Sequence, residues 1–192
     1  LASDATEAYS ADKVDLVMRE FVYCPPDLFI VFDRVQSDKA EYPKTWLYHV
    51  ADEPVISGKE FSETSQGGKS ICRTLYPEDA VIEKIGGPGK QFWSDGLNWP
   101  LPANLAANTP SDTWPLVGQW RVEVKPGTAR RLDYFMHMIQ VGGPGMQTLP
   151  YAKAYDDGTN IGTEFTYDGK EFKIAFSKNP RNKYGCEITV KK

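Results

Sequence analysis

The 192-residue chain has little excess charge of either sign. Its 22 Lys and Arg against 26 Asp and Glu leave a net charge of −4. So weak and mixed a field suits neither duplex nucleic acid nor an anionic membrane surface, and neither is expected as a partner. No apolar run approaches the ~20 residues that span a bilayer. Cysteine is scarce: Cys24, Cys72 and Cys186 are odd in number and widely spaced. That excludes a disulfide framework and a CxxC zinc site. They read as small buried hydrophobes, with one disulfide left open. Met is missing at the start, and no charged and apolar leader precedes Leu1-Ala2-Ser3-Asp4. A processed or partial chain is therefore expected.

What the chain has in quantity is Pro, Gly and aromatic side chains. The 14 Pro and 16 Gly are about 16% of the residues, against a usual ~12%. Proline at that density is incompatible with a helical bundle, because it removes a donor and clashes within a helix. The 9 Phe, 10 Tyr and 5 Trp exclude a disordered chain. A single domain of this length buries roughly 70% of its unfolded surface.

The apolar pattern is that of strands. Residues 14–23 alternate, with Val14, Leu16 and Met18 on one parity, up to the turn signal Cys24-Pro25-Pro26-Asp27. Leu28-Phe29-Ile30-Val31-Phe32 is apolar on both parities, as expected of a strand covered on two faces. Leu132 to Val141 is a second such strand. Residues 44–50 read as a strand that continues the first two in an antiparallel meander, and Gly58 to Lys69 as a polar connection. Ser70 to Tyr76, Val81 to Ile85 and Trp120 to Val124 are further strands, the last with Trp120, Val122 and Val124 inward. Residues 91–117 form a long segment rich in Trp and Pro, of the kind that is ordered by packing or functional. Near the C-terminus, Asp168-Gly169 predicts a type I′ hairpin that pairs Phe165 with Phe172, Thr163 with Ile174 and Glu164 with Lys173. Glu187 to Val190 adds a last strand. The fold class is all-β, an antiparallel sandwich with long ordered loops. It forms a single region over 1–192, with 146–192 as a terminal hairpin subregion.

Several stretches, in order, resemble the heparinase II/III-like polysaccharide lyases. Arg19-Glu20-Phe21-Val22-Tyr23-Cys24-Pro25-Pro26-Asp27 with Leu28 to Val35 is similar to their R-x-F-V-Y-x-x-P-D-x-x-V-x-x-D-R-V strand pair. Lys44-Thr45-Trp46-Leu47-Tyr48-His49 is similar to K-x-W-L-L-H. Asp4 to Tyr9 resembles D-x-x-x-A-Y. Gly118 to Pro126 resembles G-x-W-R-x-E-x-x-P, and Asp133 to Ile139 resembles D-x-F-L-H-V.

The resemblance implies supersandwich-like β layers that follow an N-terminal (α/α) toroid, with the toroid absent from these residues. It implies a parent enzyme, periplasmic or secreted, that cleaves a uronic-acid polysaccharide (glycosaminoglycan or alginate-like) by β-elimination. That reaction needs the uronate charge neutralised, a base for the C5 proton and an acid for the leaving oxygen. On the resemblance these groups come from the toroid and from a strand upstream of Leu1. No catalytic residue is assigned here, and the isolated chain is expected to be inactive. The expected partners are an acidic polysaccharide and the missing toroid. The resemblance also implies zinc, with Asp4 and His49 matching two of three ligands. Zinc favours four ligands, so the site is expected to be incomplete.

Other residues admit plainer readings. Trp93, Trp99 and Trp114 would serve as a stacking platform for sugar rings or, more commonly, pack their loop onto a sheet. A non-catalytic carbohydrate-binding sandwich is the alternative function. His137 reads as a buried, satisfied histidine. Asp33-Arg34 reads as structural ion pairing and Arg130-Arg131 as a solvated turn. Asp156-Asp157-Gly158-Thr159-Asn160 lacks the closing Glu of a calcium loop. The two Gly-Gly-Pro-Gly runs lack the context of a phosphate loop.

Overall fold

The computed structural model describes residues 1–100, 118–179 and 185–192. These residues form an all-β protein. The strands are β1 (Ala2–Asp4), β2 (Val14–Cys24), β3 (Leu28–Ser37), β4 (Trp46–Val50), β5 (Val55–Ser57), β6 (Glu60–Ser65), β7 (Gly68–Tyr76) and β8 (Val81–Gly86). They continue with β9 (Trp93–Ser94), β10 (Leu97–Asn98), β11 (Trp120–Lys125), β12 (Leu132–Gly142), β13 (Ala152–Asp156), β14 (Asn160–Tyr167), β15 (Lys170–Ser177) and β16 (Cys186–Lys191).

Three antiparallel sheets stack as layers. The middle one has seven strands in the order β1-β2-β3-β12-β7-β6-β5. A three-stranded sheet, β4-β11-β8, covers one face, and a four-stranded sheet, β13-β14-β15-β16, covers the other. This explains the two strands that are apolar on both parities. β3 and β12 lie side by side in the middle sheet, with Phe32 opposite Met136 and Val31 opposite His137. Leu28, Ile30, Phe32, Met136 and Met138 face the four-stranded sheet and meet Ile161, Phe165, Phe172, Ile174 and Phe176. Val31, Phe135 and Ile139 face the three-stranded sheet and meet Trp46, Val122 and Val124. Each face of these strands thus removes apolar surface from water, at ~25 cal/mol per Å².

The terminal hairpin has its predicted register. Asp168 and Gly169 both have positive φ, 49° and 69°, as the type I′ turn demands. Phe165 pairs with Phe172, Thr163 with Ile174 and Glu164 with Lys173. The Phe165 and Phe172 rings stack at 5.1 Å. All three cysteines are free, with Cys24 and Cys72 buried.

Two expectations need correction. β4 does not continue the β2–β3 meander. Both edges of β3 are already paired, by β2 and β12, so the polar segment after Ser37 carries β4 across to pair with β11. Residues 58–69 are not merely a connection either. They hold β6, which turns into β7 through Gln66-Gly67 (φ 51° and 77°). Its polar alternation reflects an outlying strand in which Phe61 is buried among half-exposed neighbours.

Candidate functional site

The site grows out of β11. Antiparallel register places His49 of β4 opposite Arg121 and Leu47 opposite Glu123. Across the other edge of β11, Ile85 lies opposite Arg121. Directly paired residues share a face. Val122 and Val124 turn inward to the core. His49, Arg121 and Glu123 therefore lie together on the outer face of the three-stranded sheet. His49 is exposed and its imidazole has no hydrogen-bond partner among the described residues. Tyr48, next in sequence, belongs to the opposite face and packs edge-on against Phe61.

Arg121 ties this face to the aromatic segment. Its Nε donates to Glu123 Oε1 at 2.7 Å and its Nη1 to the Trp93 carbonyl at 2.5 Å. Its Nη2 carries no partner among the described residues. Lys125 also reaches Glu123, at 2.7 Å. The two cations hold the Glu123 carboxyl below its ordinary value, although partial burial opposes them. Arg121 is thus oriented by its own neighbours. A guanidinium edge is suited to bidentate contact with carboxylate or sulfate.

The aromatic segment is a small hairpin. β9 and β10 pair Ser94 with Leu97 and Trp93 with Asn98. They turn through Asp95-Gly96, where φ is 51° and 81°. Phe92 N donates to Asn98 Oδ1 at 2.9 Å, and Trp99 Nε1 to the Ser94 carbonyl at 3.1 Å. Trp93 is half-buried, with the Lys90 ammonium 5.4 Å from its ring centre. Trp99 is 53% exposed and Leu97 58%. Trp99 is therefore not packed away onto a sheet. Trp114 lies outside the described residues. The hairpin carries the same Asp-Gly signal as residues 168–169, and that dipeptide between two tryptophans was the clue to it. Arg121 stood in a matched motif, but only register reveals its neighbours.

The structure brings His49 and Trp93 to one face through Arg121. Asp4 sits elsewhere, on β1 at the far edge of the middle sheet. It is exposed and accepts the Thr6 amide at 3.0 Å. Among the described residues no group of three His, Cys, Asp or Glu side chains is placed to hold a metal. The donors present do not by themselves fit zinc, which takes four short contacts.

The remaining candidates are structural. Asp33 accepts Nε and Nη2 of Arg19, each at 2.7 Å, while Arg34 pairs with Glu20 at 2.8 Å on the opposite face. Arg130 bridges Asp79 and Asp133. Asp157 Oδ1 is occupied by the amides of Thr159 and Asn160, which hold its carboxyl well below the usual range. The turn uses that carboxylate for its own backbone.

No family model matches the chain, and no curated protein matches it. Solved structures do. A heparinase III with methylated lysines matches with a TM-score of 0.58 at 14% identity, over 92% of this chain and 25% of its own. The heparan sulfate lyase HepC of Pedobacter heparinus matches with a TM-score of 0.51 at 15% identity, over 86% of this chain and 24% of its own. The chain shares its fold with one quarter of heparinase III. It spans about a quarter of the length of each of these lyases.

Proposed function

We propose that the chain is the β-sandwich region of a polysaccharide lyase whose whole protein cleaves a uronic-acid polysaccharide, glycosaminoglycan or alginate-like, by β-elimination. The fold shared with heparinase III carries this reading. The ordered sequence motifs agree with it, and so does the outer face of the three-stranded sheet. There the Arg121 guanidinium would meet an acidic sugar and the exposed Trp99 would stack on a ring. Neutralising the uronate and orienting the chain are the contributions open to this face. Asp4 and His49 stand on different sheets, so a zinc in this reading would be held by only one of them, with its other ligands from outside the described residues. The reading also implies a toroid as partner and a periplasmic or extracellular location.

A second reading, a non-catalytic carbohydrate-binding domain, is favoured by the exposure of Trp99. One experiment addresses both. The chain is incubated with heparan sulfate and with alginate, and unsaturated uronate absorbance and calorimetric binding are followed. Binding without absorbance, weakened about tenfold by Trp99→Ala, is expected, because an aromatic contact is worth roughly 0.5–1.5 kcal/mol beyond the area it buries. Absorbance from this chain would overturn the assignment of catalysis to the absent part. Absence of all acidic-glycan binding would overturn the role given to this face.

A further inference from the structure

The four-stranded sheet uses one face for the core, and register shows what stands on the other. Phe165 and Phe172 share a row that faces inward, as do Thr163 and Ile174, and on the edge strand β16 Val190 and Ile188 continue these rows half exposed. The residues between them face outward. One outer row holds Thr166, Glu171 and Lys191, extended by Tyr151 just before β13; the next holds Lys153, Glu164, Lys173 and Thr189. These two rows, Lys153 apart, line a shallow concavity of about 640 Å³ together with Pro150, Phe165 and Phe172. It lies on a different sheet from Arg121 and the β9–β10 hairpin.

We propose that this concavity is a second carbohydrate site, one that takes an uncharged pyranose chain. Tyr151 is 83% exposed at its wall, and a phenol ring so placed offers an apolar face to the C–H face of a sugar. The side chains of Thr166, Glu171, Thr189 and Lys191 have no hydrogen bond or ion pair among the described residues. They set acceptors and donors side by side at the ~5 Å spacing of paired strands. Sugar hydroxyls, which both donate and accept, match such a mixed set. Beyond the concavity, on the same outer face, Tyr155 lies across Gly162. A Cβ at Gly162 would come within 2.4 Å of the Tyr155 ring and of the Ile174 carbonyl. The Lys173 ammonium, at the rim between the two, is 5.0 Å from the Tyr155 ring centre and 2.9 Å from Glu164.

Charge decides the class of sugar. Lys153, Lys173 and Lys191 on this face are matched by Glu164, Glu171 and Glu187. A polyanion would meet as much repulsion as attraction here, whereas an uncharged chain loses nothing. The site would hold a neutral stretch of glycan, independently of the acidic one proposed for Arg121.

Calorimetric titration of the chain with cellohexaose and with mannohexaose tests this, alongside a heparan sulfate hexasaccharide. Binding of a neutral hexasaccharide is expected, unchanged between low and high salt. Tyr151→Ala weakens it tenfold or more, and Lys191→Met and Glu171→Gln each weaken it several-fold. Trp99→Ala leaves it unchanged. These side chains lie on the surface, so the variants fold, as circular dichroism would verify. Failure of both neutral sugars to bind overturns the proposal. So does binding that survives Tyr151→Ala, or an acidic hexasaccharide whose binding is lost with Tyr151→Ala.

Discussion

The indole of Trp46 lies over the imidazole of His137 with ring centres 3.7 Å apart. His137 is fully buried between the middle and three-stranded sheets. Its Nδ1 is 3.2 Å from Thr74 Oγ1, and its Nε2 has no partner among the described residues. Burial, aided by the Arg19 charge, pushes its pKa down to about 3. It is therefore neutral in the fold at pH 5–7.

In the unfolded chain that imidazole titrates near 6.5. Between about pH 3 and 6.5 the unfolded state binds the extra proton, so stability rises with pH there. It is fully present above 6.5 and is lost progressively as pH falls. Asp33 and Glu20, whose carboxyls are lifted by burial, act oppositely only nearer the carboxylate range. From pH 7 to 5 the His137 contribution falls by about 2 kcal/mol. Urea unfolding across that range should show this slope in the natural chain and a flatter one in His137→Leu. Equal slopes would refute it.

The buried pair Arg34–Glu20 makes a different prediction. Its side chains are 1% and 4% exposed, and Arg34 Nη1 also donates to the Asn179 carbonyl at 2.7 Å. Removing one partner strands a buried charge, so Glu20→Ala should cost about 3–5 kcal/mol. The double variant Glu20→Leu with Arg34→Met should recover most of that loss. A double-mutant cycle by denaturant unfolding measures the coupling, and additive single losses would count against it.

Two glycines separate backbone strain from steric exclusion. At Gly169 φ is 69° and an added Cβ would meet nothing within 4 Å. Gly169→Ala should therefore cost only the left-handed conformation, about 1 kcal/mol. At Gly162 the same methyl would strike the Tyr155 ring and the Ile174 carbonyl. Overpacking against backbone costs typically 1–3 kcal/mol, so Gly162→Ala should lose more stability than Gly169→Ala. The order of the two thermal midpoints checks this.

The legible parts of the fold were those in which one stretch of sequence carries its own constraint. Asp168-Gly169 fixed a turn, a register and three residue pairs at once. The doubly apolar Leu28 to Phe32 announced a strand with sheets on both sides. β4 was misplaced because strand character says nothing about which edge is vacant; that depends on β12, about a hundred residues later. β6 was missed because its single buried anchor, Phe61, sits among polar neighbours. At the candidate site, His49 and Trp93 could be singled out separately, but their shared face depends on the pairing of β4 with β11.

That shared face gives the last prediction. Arg121 holds the aromatic hairpin to the sheet with two differently directed nitrogens, one to Glu123 and one to the Trp93 carbonyl. A lysine keeps the charge but is a point donor without the fork. Arg121→Lys should therefore retain the sheet yet release the hairpin. Amide hydrogen exchange at 92–99 should rise, while exchange in β3 and β12 stays unchanged. Trp93 and Trp99 emission should become more readily quenched by iodide. Acidic-glycan binding, where it is seen in the natural chain, should weaken in Arg121→Lys nearly as much as in Arg121→Ala, because the oriented guanidinium edge is lost in both. Full retention of binding in the lysine variant would show that charge alone suffices and that the fork has no part in recognition.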